Sequence, residues 1–174
     1  MNRNLKILLV LILISFLSNF GKAQGILYSS KDLDKTILDS SIRDVRTIPF
    51  SNKILVIYKD KTRKRIPLSS IWGFENRSGQ RFRRWKGNYA LIRNTGKLST
   101  YLVRQGKSSA FEFSAGPDGD LHILTKRNLH KFFNDNQCFM EKIDSYCKGF
   151  FHSCQDYHYK TKQLRVEEFY SDCK

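Results

Sequence analysis

The hydrophobic and polar positions of this chain change pattern three times, and each change predicts a different kind of structure. Residues 7–17 form an apolar run broken only by Ser15. From Lys53 onward apolar positions alternate with polar ones and are rich in β-branched and aromatic residues, which predicts strands. Beyond Thr125 they recur at near-helical spacing through Leu129, Phe132, Phe133, Phe139, Met140 and Ile143. Residues 26–47 show neither period. They read as a helical or irregular entry, with Ser29 and Ser30 placed to cap a turn ahead of Leu33 and Ile37.

Turn residues divide the alternating stretch. Lys53–Tyr58 and Thr62–Ile66 flank Asp60-Lys61, and Pro67 ends the second strand because it has no N–H for a ladder. After a connector at Ser69–Trp72, three hairpins follow. Gly73–Asn76 and Gln80–Trp85 flank Arg77-Ser78-Gly79. Asn88–Arg93 and Lys97–Arg104 flank Asn94-Thr95-Gly96. Ser108–Ser114 and Asp120–Leu124 flank Gly116-Pro117-Asp118-Gly119. Thr125 is placed as an N-cap, Asn134-Asp135-Asn136 divides the helical stretch in two, and Gly149 is a stop. Leu164–Phe169 is ambiguous between strand and helix. The fold class expected is α+β: an antiparallel β meander forming a roll or small barrel, then one or two C-terminal helices and a disulfide-tied tail.

The first apolar run changes the picture of the N-terminus. Arg3 and Lys6 precede it, and small residues Gly21 and Ala23 follow. That is the three-part layout of a secretory signal peptide. Eleven residues fall short of the roughly 20 that span a bilayer as a helix. Cleavage after Ala23 is expected, giving 1–23 as signal, 24–52 as entry segment, 53–124 as a basic antiparallel sheet and 125–174 as the helical, Cys-containing part of the same domain. The expected location is periplasmic or extracellular, with no transmembrane segment once the signal is removed.

Charge then singles out one block. The chain of 174 residues carries 31 Lys+Arg against 16 Asp+Glu, a net +15. Residues 24–52 sum to zero, residues 53–107 to +13 and residues 108–174 to −1. Such a concentration is the footprint of an anion-binding face. Lys61, Arg63 and Lys64 surround the first turn; Arg77, Arg81, Arg83, Arg84, Trp85 and Lys86 surround the second hairpin. Arginine forks suit phosphate or carboxylate. Alternation puts Arg81, Arg83 and Trp85 on one face and Phe82 and Arg84 on the other. With Phe82 inward, an exposed Trp85 beside Arg81 and Arg83 would offer a stacking surface. The competing reading is that Trp85 closes a barrel end above a solvated arginine face.

All four cysteines, Cys138, Cys147, Cys154 and Cys173, lie in the last 37 residues. In an exported chain an even number implies bridges. A helix through 136–147 would hold Cys138 and Cys147 about 12 Å apart at a 1.5 Å rise per residue, too far for a bond. Pairing of either with Cys154 or Cys173 is therefore expected. A metal site from Cys147, Cys154, His152 and His158 matches no compact zinc spacing. Asp118 and Asp120 are too few for calcium. G-x-S-x-G, H-E-x-x-H, P-loop and G-x-G-x-x-G motifs are missing, and His152, Ser153, Cys154, Asp156 and His158 make only a generic set. No cofactor or catalytic residue is expected.

The stretch Ile66-Pro67-Leu68-Ser69-Ser70-Ile71-Trp72-Gly73-Phe74 resembles that of a group of small exported bacterial proteins. Phe113-Ser114, Leu124-Thr125 and Asn128-Leu129 continue the pattern, which spans roughly 26–145. The resemblance implies a bacterial envelope location and no activity; the four-Cys tail falls outside it. The function expected is a non-enzymatic binding or accessory module whose basic face meets an anionic envelope component or another envelope protein. The alternative is a secreted hydrolase of an anionic polymer or glycolipid, with the same arginines positioning substrate. Export argues against nucleic acid as a physiological partner.

Overall fold

The computed structural model describes residues 24–34, 39–49, 51–105, 108–147, 154–158, 161 and 163–174. The signal segment expected at 1–23, the stop at Gly149 and His152 lie outside them. A seven-stranded antiparallel sheet organises the molecule. Its order is β1 (Gly25–Leu27), β5 (Gly73–Glu75), β6 (Arg81–Trp85), β7 (Asn88–Asn94), β8 (Leu98–Gln105), β9 (Ser108–Ala115) and β10 (His122–Ile123). A three-stranded meander, β2 (Ile42–Thr47), β3 (Lys53–Tyr58) and β4 (Arg63–Pro67), is inserted between β1 and β5. The helices α1 (Lys126–Phe133), α2 (Gln137–Tyr146) and α3 (Arg165–Asp172) follow, with a short pair β11 (Tyr157–His158) and β12 (Gln163–Leu164) before the last. This is an α+β fold built on a β meander.

Local chemistry accounts for the joints. Lys86 and Gly87 both have positive φ, 43° and 75°, so a two-residue turn of the hairpin-favoured kind joins β6 to β7. Thr125 accepts a side-chain hydrogen bond from the Asn128 amide and caps α1; Asn136 does the same for α2 from Phe139. Cys138 of α2 bonds Cys173 after α3, and Cys147 bonds Cys154. Both bridges are of the kind the helix spacing allowed. No helix among the described residues is long and apolar enough to cross a membrane.

Both faces of the large sheet are covered. Phe74, Phe82 and Tyr89 pack against Ile42, Val45, Ile54 and Val56 of the small sheet. On the same face Phe113 and Leu98 pack against Leu129, Phe133, Phe139, Ile143 and Val166 of the helices. On the opposite face Ala90, Tyr101 and Val103 are buried with Trp85, Ile92 and Leu121. The sheet curls over that second face. The Asp118 carboxylate, in the turn leading toward β10, accepts from Ser30 Oγ at 2.5 Å and Trp72 Nε1 at 2.9 Å. Ser30 follows β1, so this clasp brings the two rims of the sheet together into a roll.

Among the described residues of 26–47, the expected helical or irregular entry is only partly present, because two strands flank its short helix. These residues contain β1, a short 3-10 turn at Ser30–Asp34 and β2. Strand β1 is buried at all three positions and so shows no alternation. In β2 a register shift between Ile42 and Asp44 buries Asp44 and Val45 side by side, which erases the period. The turn cap comes from Asp32, whose carboxylate accepts from the Tyr28 and Ser29 amides. The last expected strand shrinks to His122–Ile123, and the ambiguous tail is two residues of strand followed by α3.

Candidate functional site

The arginine-rich strand β6 is pinned from within. Arg81, Arg83 and Trp85 do share a face, but it is the face the roll encloses. Arg81 Nε pairs with Glu75 at 2.7 Å, and its Nη1 donates to the Leu33 carbonyl. Arg83 lies over the rings of Trp72 and Tyr101, 5.7 and 5.5 Å from their centroids, and donates to the Asp118 carbonyl. Trp85 is half-buried against Ala90, Tyr101 and Val103, with Lys86 Nζ 5.2 Å above its ring. The exposed Trp–Arg stacking surface is therefore replaced by a packed one. The reason is the second layer: Phe82 faces the small sheet, so the core lies on both sides of β6.

Below Trp85 sits Glu112, a buried carboxylate. Burial pushes its pKa up, against the opposing pull of Lys86 and the Trp85 indole. Neither Trp85 Nε1 nor Glu112 Oε2 completes a well-aligned hydrogen bond. Arg84, on the other face, is exposed and donates to the Ser69 carbonyl at 2.9 Å. Lys61, Arg63 and Lys64 are exposed on the small sheet, so the basic block is divided between two sheets rather than spread over one.

Residues of the two sheets enclose a cleft of about 460 Å³. Val45, Phe74, Phe82, Tyr89, Leu91 and Leu102 supply its apolar wall. Phe74 and Phe82 stack with centroids 4.9 Å apart, and Tyr89 meets both edge-on. Arg46 from β2, Arg77 from the β5–β6 turn and Arg104 from β8 stand at the rim, with one carboxylate, Asp44. Arg46 Nε holds that carboxylate at 2.6 Å. Arg77 and Arg104 have no ion-pair partner among the described residues. A volume of this size lies within the roughly 300–1,000 Å³ of ligand sites.

A second, smaller cleft of about 200 Å³ adjoins it on the outer face of the small sheet. It shares Asp44, Arg46 and Arg77 with the first and adds Arg43, Ile57 and Arg63. Of the residues expected from sequence, Arg77 and Arg63 thus meet here, while Arg81, Arg83, Arg84, Trp85, Lys86, Lys61 and Lys64 line neither cleft. Arg43 and Arg46 were missed because residues 24–52 sum to zero. On β2 the arginines point out and Asp44 is buried, so the exposed charge is positive despite the balanced sum. Among the described residues there is no group of three or more His, Cys, Asp or Glu side chains able to hold a metal. His158 hydrogen-bonds Thr161 Oγ1 at 3.0 Å and lines neither cleft. No family of known proteins, no curated protein and no solved structure matches this chain.

Proposed function

We propose that this chain is an exported binding module for an anionic component of the cell envelope, and that the cleft between the two sheets is its site. One observation carries the reading: the cleft pairs an aromatic and aliphatic wall with a rim of three arginines against a single, already paired carboxylate. Excess guanidinium beside apolar surface suits a ligand with an acidic group on a hydrophobic or ring-shaped body. The two disulfides fit an oxidising compartment, and the N-terminal sequence fits export. The arginines lining the cleft support a reading in which it holds an anion.

The test is retention on carboxylate- and phosphate-bearing matrices across a salt series. Arg46→Gln/Arg77→Gln/Arg104→Gln is expected to weaken binding at least 100-fold, since charge-assisted hydrogen bonds contribute about 1.5–3 kcal/mol each. Arg84→Gln, outside the cleft, is expected to bind as wild type does. Undiminished retention by the triple variant would refute the assignment.

A further inference from the structure

We infer that the ligand is a chain: an acidic polysaccharide that runs through both clefts, with a charged sugar at each arginine cluster. This rests on the anion-binding reading of the main cleft and extends it to a ligand class. The small sheet supplies the geometry. In its register Asp44 faces Ile57 and Ile57 faces Arg63; Arg46 faces Leu55 and Leu55 faces Arg65. Partners across adjacent strands share a face, so Asp44 of β2 and Arg63 of β4 stand on either side of Ile57, two strand spacings or roughly 9–10 Å apart, with Arg43 beside Asp44 in the bulge and Arg46 at the next position of that face. Arg77 leans in from the other sheet to complete the ring.

That ring has a surplus of charge. Asp44 is the one carboxylate in it, and Arg46 already holds it. Arg43, Arg63 and Arg77 have no ion-pair partner among the described residues. Like charges gathered this way repel unless an anion sits among them. Yet the cleft over Ile57 holds only about 200 Å³, below the roughly 300 Å³ of the smallest self-sufficient ligand sites. It works as the continuation of something bound next door. Arg46 and Arg77 border both clefts together with Asp44, whose carboxylate Arg46 holds, so the path between them carries a net positive charge.

A compact anion would fill the larger cleft and leave the second unused. A linear molecule with acidic groups at intervals uses both. Its apolar ring faces can lie along Leu91, Leu102 and Tyr89, while its carboxylates or sulfates meet the arginine forks. A nucleic acid fits less well, because its bases need a free aromatic platform. Phe82 has one face against Phe74 at 4.9 Å and Tyr89 across its edge, so these rings wall the cleft rather than offer a platform.

The experiment is a size ladder of oligogalacturonides, from one to eight sugars, titrated calorimetrically into the purified chain at two salt concentrations. Affinity is expected to rise at least ten-fold between the disaccharide and the octasaccharide. Arg43→Gln/Arg63→Gln should bring that ratio close to one, and Arg65→Gln, on the same sheet but outside both clefts, should preserve it. Near-UV circular dichroism checks that each variant is folded. Length-independent affinity, or a ratio kept by the Arg43/Arg63 variant, overturns the chain ligand while leaving the main-cleft reading standing. Polyphosphate or single-stranded DNA of equal charge binding as tightly as the octasaccharide overturns the sugar class. Loss of all anion binding, or binding indifferent to Arg46, Arg77 and Arg104, overturns the main-cleft reading itself.

Discussion

At the scale of single residues, a missing side chain and a buried carboxyl group each constrain the fold. A Cβ on Gly73 would lie 2.1 Å from the Phe82 carbonyl oxygen, so β5 and β6 approach this closely only because position 73 is glycine. Gly73→Ala is expected to cost about 1–3 kcal/mol, as overpacking typically does, and a urea midpoint equal to wild type would contradict it. Glu112 makes a pH prediction. Its folded-state pKa is raised above the ordinary 4.5, so the folded chain holds this proton more firmly than the unfolded one. The associated stability is present below the ordinary value and is lost as pH rises through the raised one. Glu112→Gln should therefore gain on wild type between pH 4 and pH 7. Urea melts at both pH values check this, and a difference independent of pH would refute it. None of this was legible beforehand: alternation located Arg81, Arg83 and Trp85 on one face correctly, but only the covering layer decides which face is buried.

At the scale of elements, what could be read depended on whether an element's own residues carry its signal. Helix α1 was legible because Thr125 caps it and Leu129 and Phe133 mark its buried face. Strands β3 to β9 were legible chiefly from the turns that separate them, since β5 is buried throughout and β4 is largely exposed. Strands β1 and β2 have no such flanking turn signal; one is buried all round, the other is broken by a bulge, and neither was legible. The two disulfides were restricted to a few pairings by helix geometry, and they differ in reach. Cys138–Cys173 spans 35 residues and Cys147–Cys154 spans 7. Loop-closure entropy then assigns them about 4 and about 2 kcal/mol respectively. Cys138→Ser/Cys173→Ser should accordingly lower the thermal midpoint more than Cys147→Ser/Cys154→Ser does; the reverse order in calorimetry would contradict this.

At the scale of the whole molecule, the main cleft is lined by β2 of one sheet and β5 to β8 of the other, and no single segment of sequence encodes that. The charge block predicted an anion site in residues 53–107, whereas the proposed site draws Arg43 and Arg46 from a segment that looked neutral and leaves the β6 arginines out. The roll depends on the Asp118 clasp. Asp118→Ala removes two charge-assisted hydrogen bonds at an exposed place, and a loss of roughly 1–2 kcal/mol is expected. A change in Trp72 emission should accompany it, and unchanged emission with unchanged stability would deny the clasp its role. The same topology has a consequence in time. Strand β1 must wait for β5, 48 residues further along by the Gly25–Gly73 offset, whereas β2, β3 and β4 pair with sequence neighbours. Local pairings close small loops and form early; distant ones close large loops and form late. The meander β2–β4 and the run β5–β10, which likewise pairs sequence neighbours, are thus both positioned to form early, and the β1–β5 pairing closes last. Since the meander carries Arg43, Arg46 and Arg63 and the other run carries Arg77 and Arg104, the two halves of the proposed anion cradle would form apart and meet only at that last closure.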